Sequence, residues 1–262
     1  MEISVIYEDA DVCVVNKPYG LIVHSDGRTE EPTLADWVLA RYPETREVGE
    51  PWTSPQGEVV PRPGIVHRLD RTTSGVMVLA KNKKAYEFLK QQFQGRLIEK
   101  TYRAFVYGHQ KEDHGVIEKE IVRIRSTPPR WGIKRASEEK KHRAAITEWR
   151  VLERGAVPYS DVGHPNMLDV EHQVLGEKVS YLELYPKTGR THQLRVHLKH
   201  AEHPIICDPL YAQSRPCLLG FTRPALHAFK LKMMLPSGEE REFEAPLPPD
   251  FHRAIQCFII KR

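Results

Sequence analysis

Residues 67–75 read His-Arg-Leu-Asp-Arg-Thr-Thr-Ser-Gly, which sets one acid, Asp70, between two guanidinium groups, Arg68 and Arg71, and ahead of the hydroxyls of Thr72, Thr73 and Ser74. A free aspartate has a pKa of about 3.9, so near neutral pH this side chain is an anion that needs placing more than activating. Two uses fit such a carboxylate: attack on an electrophilic carbon, or closure of an Asx-type turn before a strand. Residue types alone leave both open. A second group, His192, His197, His200 and His203 with Asp208 beyond, has the elements of a metal site. Its spacing argues against one, because HExxH is absent and no cysteine or carboxylate completes a set. These histidines are expected to satisfy hydrogen bonds or to face a nucleic acid, with no metal bound. A third region, residues 119–143, holds nine Lys or Arg against three Glu, with Trp131 in its middle. A basic run around an aromatic ring suits a phosphate backbone and a stacked base, and Lys134 and Arg135 are its central pair. The plainer alternative is a solvated hairpin.

The elements that must position these groups can be read from periodicity and turn formers. Residues 5–17 form two short strands around a turn at 8–11, and Thr33 caps a short helix that Pro43 ends. Pro51, Pro55, Pro61 and Pro63 make residues 49–64 an extended loop that delivers the chain to His67, and residues 76–80 follow as an apolar strand. Ala85, Phe88, Leu89 and Phe93 share one face of a helix over 83–94, with Gly95 as its stop. Strands are expected at 101–107, 145–152 and 179–185, a helical turn pattern at 191–200, and a hairpin over 228–243 turning at Pro236–Gly238. The order is irregular rather than alternating βα, so the fold class is α+β, a single catalytic domain over 1–262 around a mixed, largely antiparallel sheet. Residues 155–176 look like an insertion between two strands, with no assigned role.

Hydrophobic residues make up 40% and charged residues 28%, the balance of a folded chain, and the net charge is only +4. The first residues are acidic where a leader peptide needs basic ones, and no run approaches the ~20 apolar residues of a membrane span. The expectation is a cytoplasmic, monomeric protein without a membrane partner. Four cysteines, Cys13, Cys207, Cys217 and Cys257, lie far apart without a CxxC pair and read as free thiols.

The tract around Asp70 contains HRLDxxTSG, and with it the chain resembles the RluA family of pseudouridine synthases. Residues 15–24, Val-Asn-Lys-Pro-Tyr-Gly-Leu-Ile-Val-His, are similar to that family's NKPxGLxVH segment. Lys100-Thr101-Tyr102-Arg103-Ala104 resembles its KxYxA motif, Thr188 to His197 its TGRTHQLRVH motif, and His203-Pro204-Ile205 with Asp208 and Tyr211 its HPI…D…Y continuation. The matches follow family order over roughly residues 3–247. They start at the first strand, as in shorter members that lack an N-terminal S4 RNA-binding domain.

The resemblance implies an RNA uridine isomerase with a central RNA-binding cleft and neither metal nor organic cofactor. The C1′–N1 bond of the target uridine breaks, the uracil turns, and the sugar rejoins through C5. One nucleophilic carboxylate suffices, whereas a hydrolytic glycosidase needs two. By resemblance Asp70 is the nucleophile, Arg195 the partner that orients it and keeps it charged, and Tyr102 the ring that stacks under the flipped uracil. Arg68 aids flipping, and His67, Arg71, Thr73, Arg190 and Gln193 join Lys134 and Arg135 as substrate-binding residues. The expected RNA is large-subunit ribosomal RNA, with transfer RNA as the alternative. A catalytically silent RNA-binding module is the rival from another class, disfavoured because a pure binder has no use for a buried carboxylate amid phosphates.

Overall fold

In the computed structural model the described residues are 3–25, 30–53, 57, 59–124, 130–134, 143–157 and 176–259. In chain order the elements are β1 (Ser4–Glu8), β2 (Val12–Lys17), α1 (Leu34–Arg41), a 3₁₀ turn (Pro43–Glu47), β3 (Trp52–Thr53), β4 (Val59–Val60), β5 (Ser74–Ala80) and α2 (Lys83–Gly95). They continue with β6 (Glu99–Tyr107), β7 (His114–Glu118), β8 (Ile121–Ile124), β9 (Arg130–Ile133), β10 (Ile146–Val157), β11 (Glu177–Pro186), α3 (Gln193–His200), β12 (Leu226–Met234), β13 (Glu240–Glu244) and α4 (Pro249–Ile259). The α+β class expected from sequence is the class observed. The chain folds as two compact units interleaved in sequence, residues 1–100 with 228–246, and residues 101–227 with 247–262.

In the first unit the strands run β1-β2-β5-β12, with β13 paired to β12. β2 and β5 pair antiparallel from Val12↔Ala80 to Lys17↔Gly75. Their unbroken apolar runs are explained by burial, since all seven residues of β5 are buried. Gly75 is required where it stands: its φ is +124°, and a Cβ there would lie 2.1 Å from the carbonyl oxygen of Ala228. α1 starts at the N-cap expected at Thr33 and completes it as a capping box: the Thr33 hydroxyl accepts the Asp36 N–H at 3.2 Å while Asp36 accepts the Thr33 N–H at 2.8 Å. α2 starts at Asn82, whose side chain accepts the Ala85 N–H at 2.9 Å. It stops one residue later than the glycine suggested, at Arg96 in the left-handed region (φ 58°). Tyr86 and Gln92 turn inward as well as Ala85 and Leu89, and Gln92 pairs its amide with both backbone groups of Met234.

In the second unit β6, β11, β10 and β7 pair antiparallel in that order. The register sets Tyr102 opposite Leu184 and Arg103 opposite Glu183, so these neighbours on β6 face opposite sides. Thr147 on β10 lies on the Tyr102 side, where α3 packs and its Gln193 and His197 bond to the Thr147 hydroxyl at 3.0 Å. α4, which periodicity did not reveal, covers the other side and sets Phe251 5.8 Å from Phe105, ring to ring. β8 and β9 pair antiparallel, from Ile121↔Ile133 to Ile124↔Arg130. The strands flanking the expected insertion are longer than read from sequence, with Val157 paired to Glu177, and residues 158–175 lie outside the described residues.

One expectation is corrected. Cys207 and Cys217 form a disulfide, and only Cys13 and Cys257 are free. The chain from 207 to 217 turns back until the two Cα atoms are 4.5 Å apart, a return that ten-residue spacing does not disclose. Among the described residues no helix is long and apolar enough to cross a membrane.

Candidate active site

The loop bearing Asp70 is held from three sides within the first unit. His67 accepts the Val78 N–H on Nε2 at 3.0 Å, which assigns the ring proton to Nδ1, and stacks on Phe93 of α2 at 4.5 Å. Burial, helped by the Lys100 charge, lowers its pKa to about 3, so the ring is neutral near physiological pH and fastens the loop to β5 and α2. Leu69 is buried, Arg68 is exposed and Asp70 is half-buried, an alternation that leaves the arginine outward and ties the acid to the protein surface. The turn closes through the backbone, the Thr73 N–H donating to the Asp70 carbonyl at 3.0 Å.

The third support comes from the segment after β2. Lys17 is fully buried, and its ammonium donates to the carbonyls of Pro18 at 2.8 Å and Leu21 at 2.9 Å, folding the chain so that Gly20 donates its N–H to the Arg71 carbonyl at 2.8 Å. The Arg71 side chain pairs with Glu31 at 2.7 Å with both half exposed, a contact worth little to stability. Thr73 is buried. Sequence reasoning misses Lys17. Its signal is a lysine inside an otherwise apolar strand, which requires local acceptors for the buried ammonium.

In the second unit the side chains are organised around α3. Gln193, also buried, uses its whole amide. Oε1 accepts the Thr188 hydroxyl at 2.6 Å and the Arg190 N–H at 3.1 Å, and Nε2 donates to the Ile146 carbonyl and the Thr147 hydroxyl, each at 3.0 Å. These bonds fix the 188–190 turn, and Arg190 donates through Nε to the Ala144 carbonyl at 3.2 Å. His192 then enters α3 in the left-handed region (φ 55°).

Arg195, only 3% exposed, forms a two-pronged bond with Asp208: Nε to Oδ2 at 2.7 Å and Nη2 to Oδ1 at 2.8 Å. Asp208 is 1% exposed and also accepts the N–H groups of Leu210 and Tyr211, at 2.9 and 3.1 Å. The guanidinium lies over the Tyr211 ring at 5.1 Å, and the Tyr211 hydroxyl meets the Trp131 N–H at 3.2 Å and His192 Nδ1 at 3.0 Å. The sequence motif marks Asp208 and Tyr211 without giving either a role, and this geometry supplies one. Tyr102 is half-buried and packs on the core of this unit, on the same side of the strands as α3.

His67, Arg68, Asp70, Arg71 and Thr73 thus share one loop of the first unit, and Tyr102, Arg190, Gln193 and Arg195 lie in the second. Lys134 pairs with Glu120 at 3.4 Å, and Arg135 lies outside the described residues. The histidines do not converge. His197 bonds to Thr147 and the Lys119 carbonyl, His203 to the Tyr107 carbonyl, and among the described residues no group of three His, Cys, Asp or Glu is arranged to hold a metal ion.

Comparison with known proteins places this arrangement. The family profile described as RNA pseudouridylate synthase matches residues 11–200. The ribosomal large subunit pseudouridine synthase D of Neisseria meningitidis serogroup B is 38% identical over 272 positions, covering 100% of this chain and 62% of the relative. The protein of the same description in Escherichia coli K12 is 32% identical over 97% of this chain and 70% of its own length. The chain therefore spans about 62% of the length of the Neisseria relative. Among solved structures, human RNA pseudouridylate synthase domain containing 1 superposes with a TM-score of 0.69 at 26% identity, over 98% of this chain and 88% of that one.

Proposed function

The chain belongs to the RNA pseudouridylate synthase family, and from that membership we propose that it isomerises uridines in RNA to pseudouridine with Asp70 as nucleophile. The observation that carries the assignment is the immobilised loop: a neutral His67, a buried Leu69, the Gly20 bond to Arg71 and the β5 strand fix the backbone that presents Asp70. A carboxylate held in place can attack the uridine, at C1′ or at C6, while the C1′–N1 bond breaks and the uracil turns to rejoin through C5. No atom is gained or lost, so neither a second carboxylate nor a cofactor is required by the balance.

Arg195 is assigned to orient Asp70 and to keep it charged, with Asp208 in turn fixing Arg195. Tyr102 is assigned to stack on the flipped base, and exposed Arg68 to enter the space that base vacates. Gln193 and His67 act in this scheme by positioning the loops that hold Arg190 and Asp70. Thr73, buried beside Asp70, closes the turn, while Arg71, Arg190, Lys134 and Arg135 contribute charge toward phosphates. We assign large-subunit ribosomal RNA as the substrate, since that is the RNA named for the Neisseria and Escherichia coli relatives. The two units are taken as one catalytic domain, monomeric and cytoplasmic.

Pseudouridine mapping of total RNA from cells with and without the protein tests the reading. A site lost without the protein, restored by the wild-type chain and not by Asp70→Asn, is the expected result. An unchanged map, or restoration by Asp70→Asn, refutes it.

A further inference from the structure

Beyond the residues around Arg195, the second unit carries a groove of about 1180 Å³ whose lining includes Lys111, Arg130, Trp131, Lys199, Glu202 and Tyr211. Its volume exceeds the roughly 300–1,000 Å³ of a small-molecule pocket. Its lining takes in Tyr211, whose ring lies under the Arg195 guanidinium, and Val196, Lys199 and His200 of α3. Lys199 is four residues after Arg195, about 6 Å further along the helix axis. Arg215 also lines the groove, but its charge is engaged by Glu177 at 3.1 Å. Among the described residues no carboxylate is in salt-bridge contact with Lys111, Arg130 or Lys199, and Glu202 is the single acid among the lining residues. Three cations in a trough with one acid and an aromatic ring make a surface suited to a flexible polyanion with bases to stack.

We propose that this groove binds the backbone of a single-stranded RNA segment flanking the target uridine. The inference rests on the RNA-isomerase reading for its partner, and gives that reading a second, non-catalytic contact surface along α3.

Counterion release supplies the test. Each phosphate neutralised on a single strand contributes about 0.7 to the slope of log K against log salt, so three cations contribute about 2. The probe is a fluorescein-labelled 20-nucleotide oligouridylate, titrated against the full chain at salt between 50 and 200 mM. The triple variant Lys111→Gln/Arg130→Gln/Lys199→Gln should show a slope smaller by about 2, so that wild type loses about 15-fold more affinity than the variant across that fourfold salt range. Lys199→Gln alone, at an exposed position, should lower the slope by about 0.7 and covers the case in which the triple variant is unstable. An unchanged slope in a folded variant overturns the proposal. The pseudouridine map separates the two ideas: a wild-type chain that restores the site with an unchanged slope loses only the groove, and a flattened slope without any restored site loses only the isomerase reading.

Discussion

Replacing Asp208 by asparagine tests whether a buried ion pair, rather than the helix alone, sets the position of Arg195. The aspartate accepts on Oδ1 from Arg195 Nη2 and from the N–H groups of Leu210 and Tyr211, and on Oδ2 from Arg195 Nε. An asparagine that keeps its oxygen at the Oδ1 place preserves the loop bonds but turns its NH₂ toward Nε–H, donor against donor. The guanidinium, 3% exposed, then loses the Asp208 charge and faces a neutral amide in its place. Breaking such a pair by removing one partner costs about 3–5 kcal/mol. At about 2–4 °C per kcal/mol for a chain of this size, the melting temperature should fall by about 6–20 °C. Asp208→Asn/Arg195→Gln removes both charges and should regain much of that loss, because no buried guanidinium is left facing a neutral amide. Activity should separate from stability. In single-turnover release of tritium from 5-tritiated uridine in RNA, assayed well below the melting point, Asp208→Asn should lose about a hundredfold in rate, as a displaced catalytic contact does. The double variant should stay slow, with RNA affinity within a few fold of wild type throughout. A stability loss under about 1 kcal/mol for Asp208→Asn, or a double variant that regains the rate, would refute the reasoning.

His67 has its pKa lowered to about 3 by burial, whereas the unfolded chain binds that proton near 6.5, so stability is complete above about 6.5 and declines as pH falls toward 3. The loss from this group should be about 2 kcal/mol at pH 5, and urea melts of His67→Gln should show a shallower decline between pH 7 and 5 than wild type. Tyr102→Phe keeps the ring and removes the hydroxyl; if that hydroxyl helps take the C5 proton, RNA affinity should hold while tritium release drops about 10²-fold, and near-normal release excludes the role. Cys217→Ser opens the loop that contains Asp208 and Tyr211. It should mimic a weaker Asp208→Asn in melting and rate and be unaffected by dithiothreitol, whereas wild type should respond to that reductant, and a wild-type protein indifferent to it assigns the bridge no part in holding Arg195.

The parts of the site that sequence discloses are those whose chemistry is local. An N-cap needs only Thr33 ahead of an apolar-periodic run, and α2 needs only its apolar face, so both were readable from spacing. The tract around Asp70 was readable as a motif, but its supports were not. The family resemblance put His67 among the substrate-binding residues. Only the fold reveals that its Nε2 is taken by Val78, eleven residues on, and its face by Phe93. Gln193 is the same case, with its bonds to Ile146 and Thr147 crossing 47 and 46 positions of chain.

The Asp208 pair shows why such supports stay hidden even when the residues are marked. Thirteen positions separate it from Arg195, a distance at which no helical or strand periodicity relates two side chains. What joins them is a return of the chain after α3, where Asp208 accepts the N–H groups of Leu210 and Tyr211 and the Cys207–Cys217 bridge closes the segment. A guanidinium nearly sealed from water is stable only if the same burial delivers an anion in fork geometry, so the backbone bonds that place Asp208 also decide where Arg195 points. If Arg195 has the proposed role, function depends on a loop whose sequence carries no catalytic group, and mutation of that loop should alter rate through Arg195 while leaving the Asp70 tract untouched.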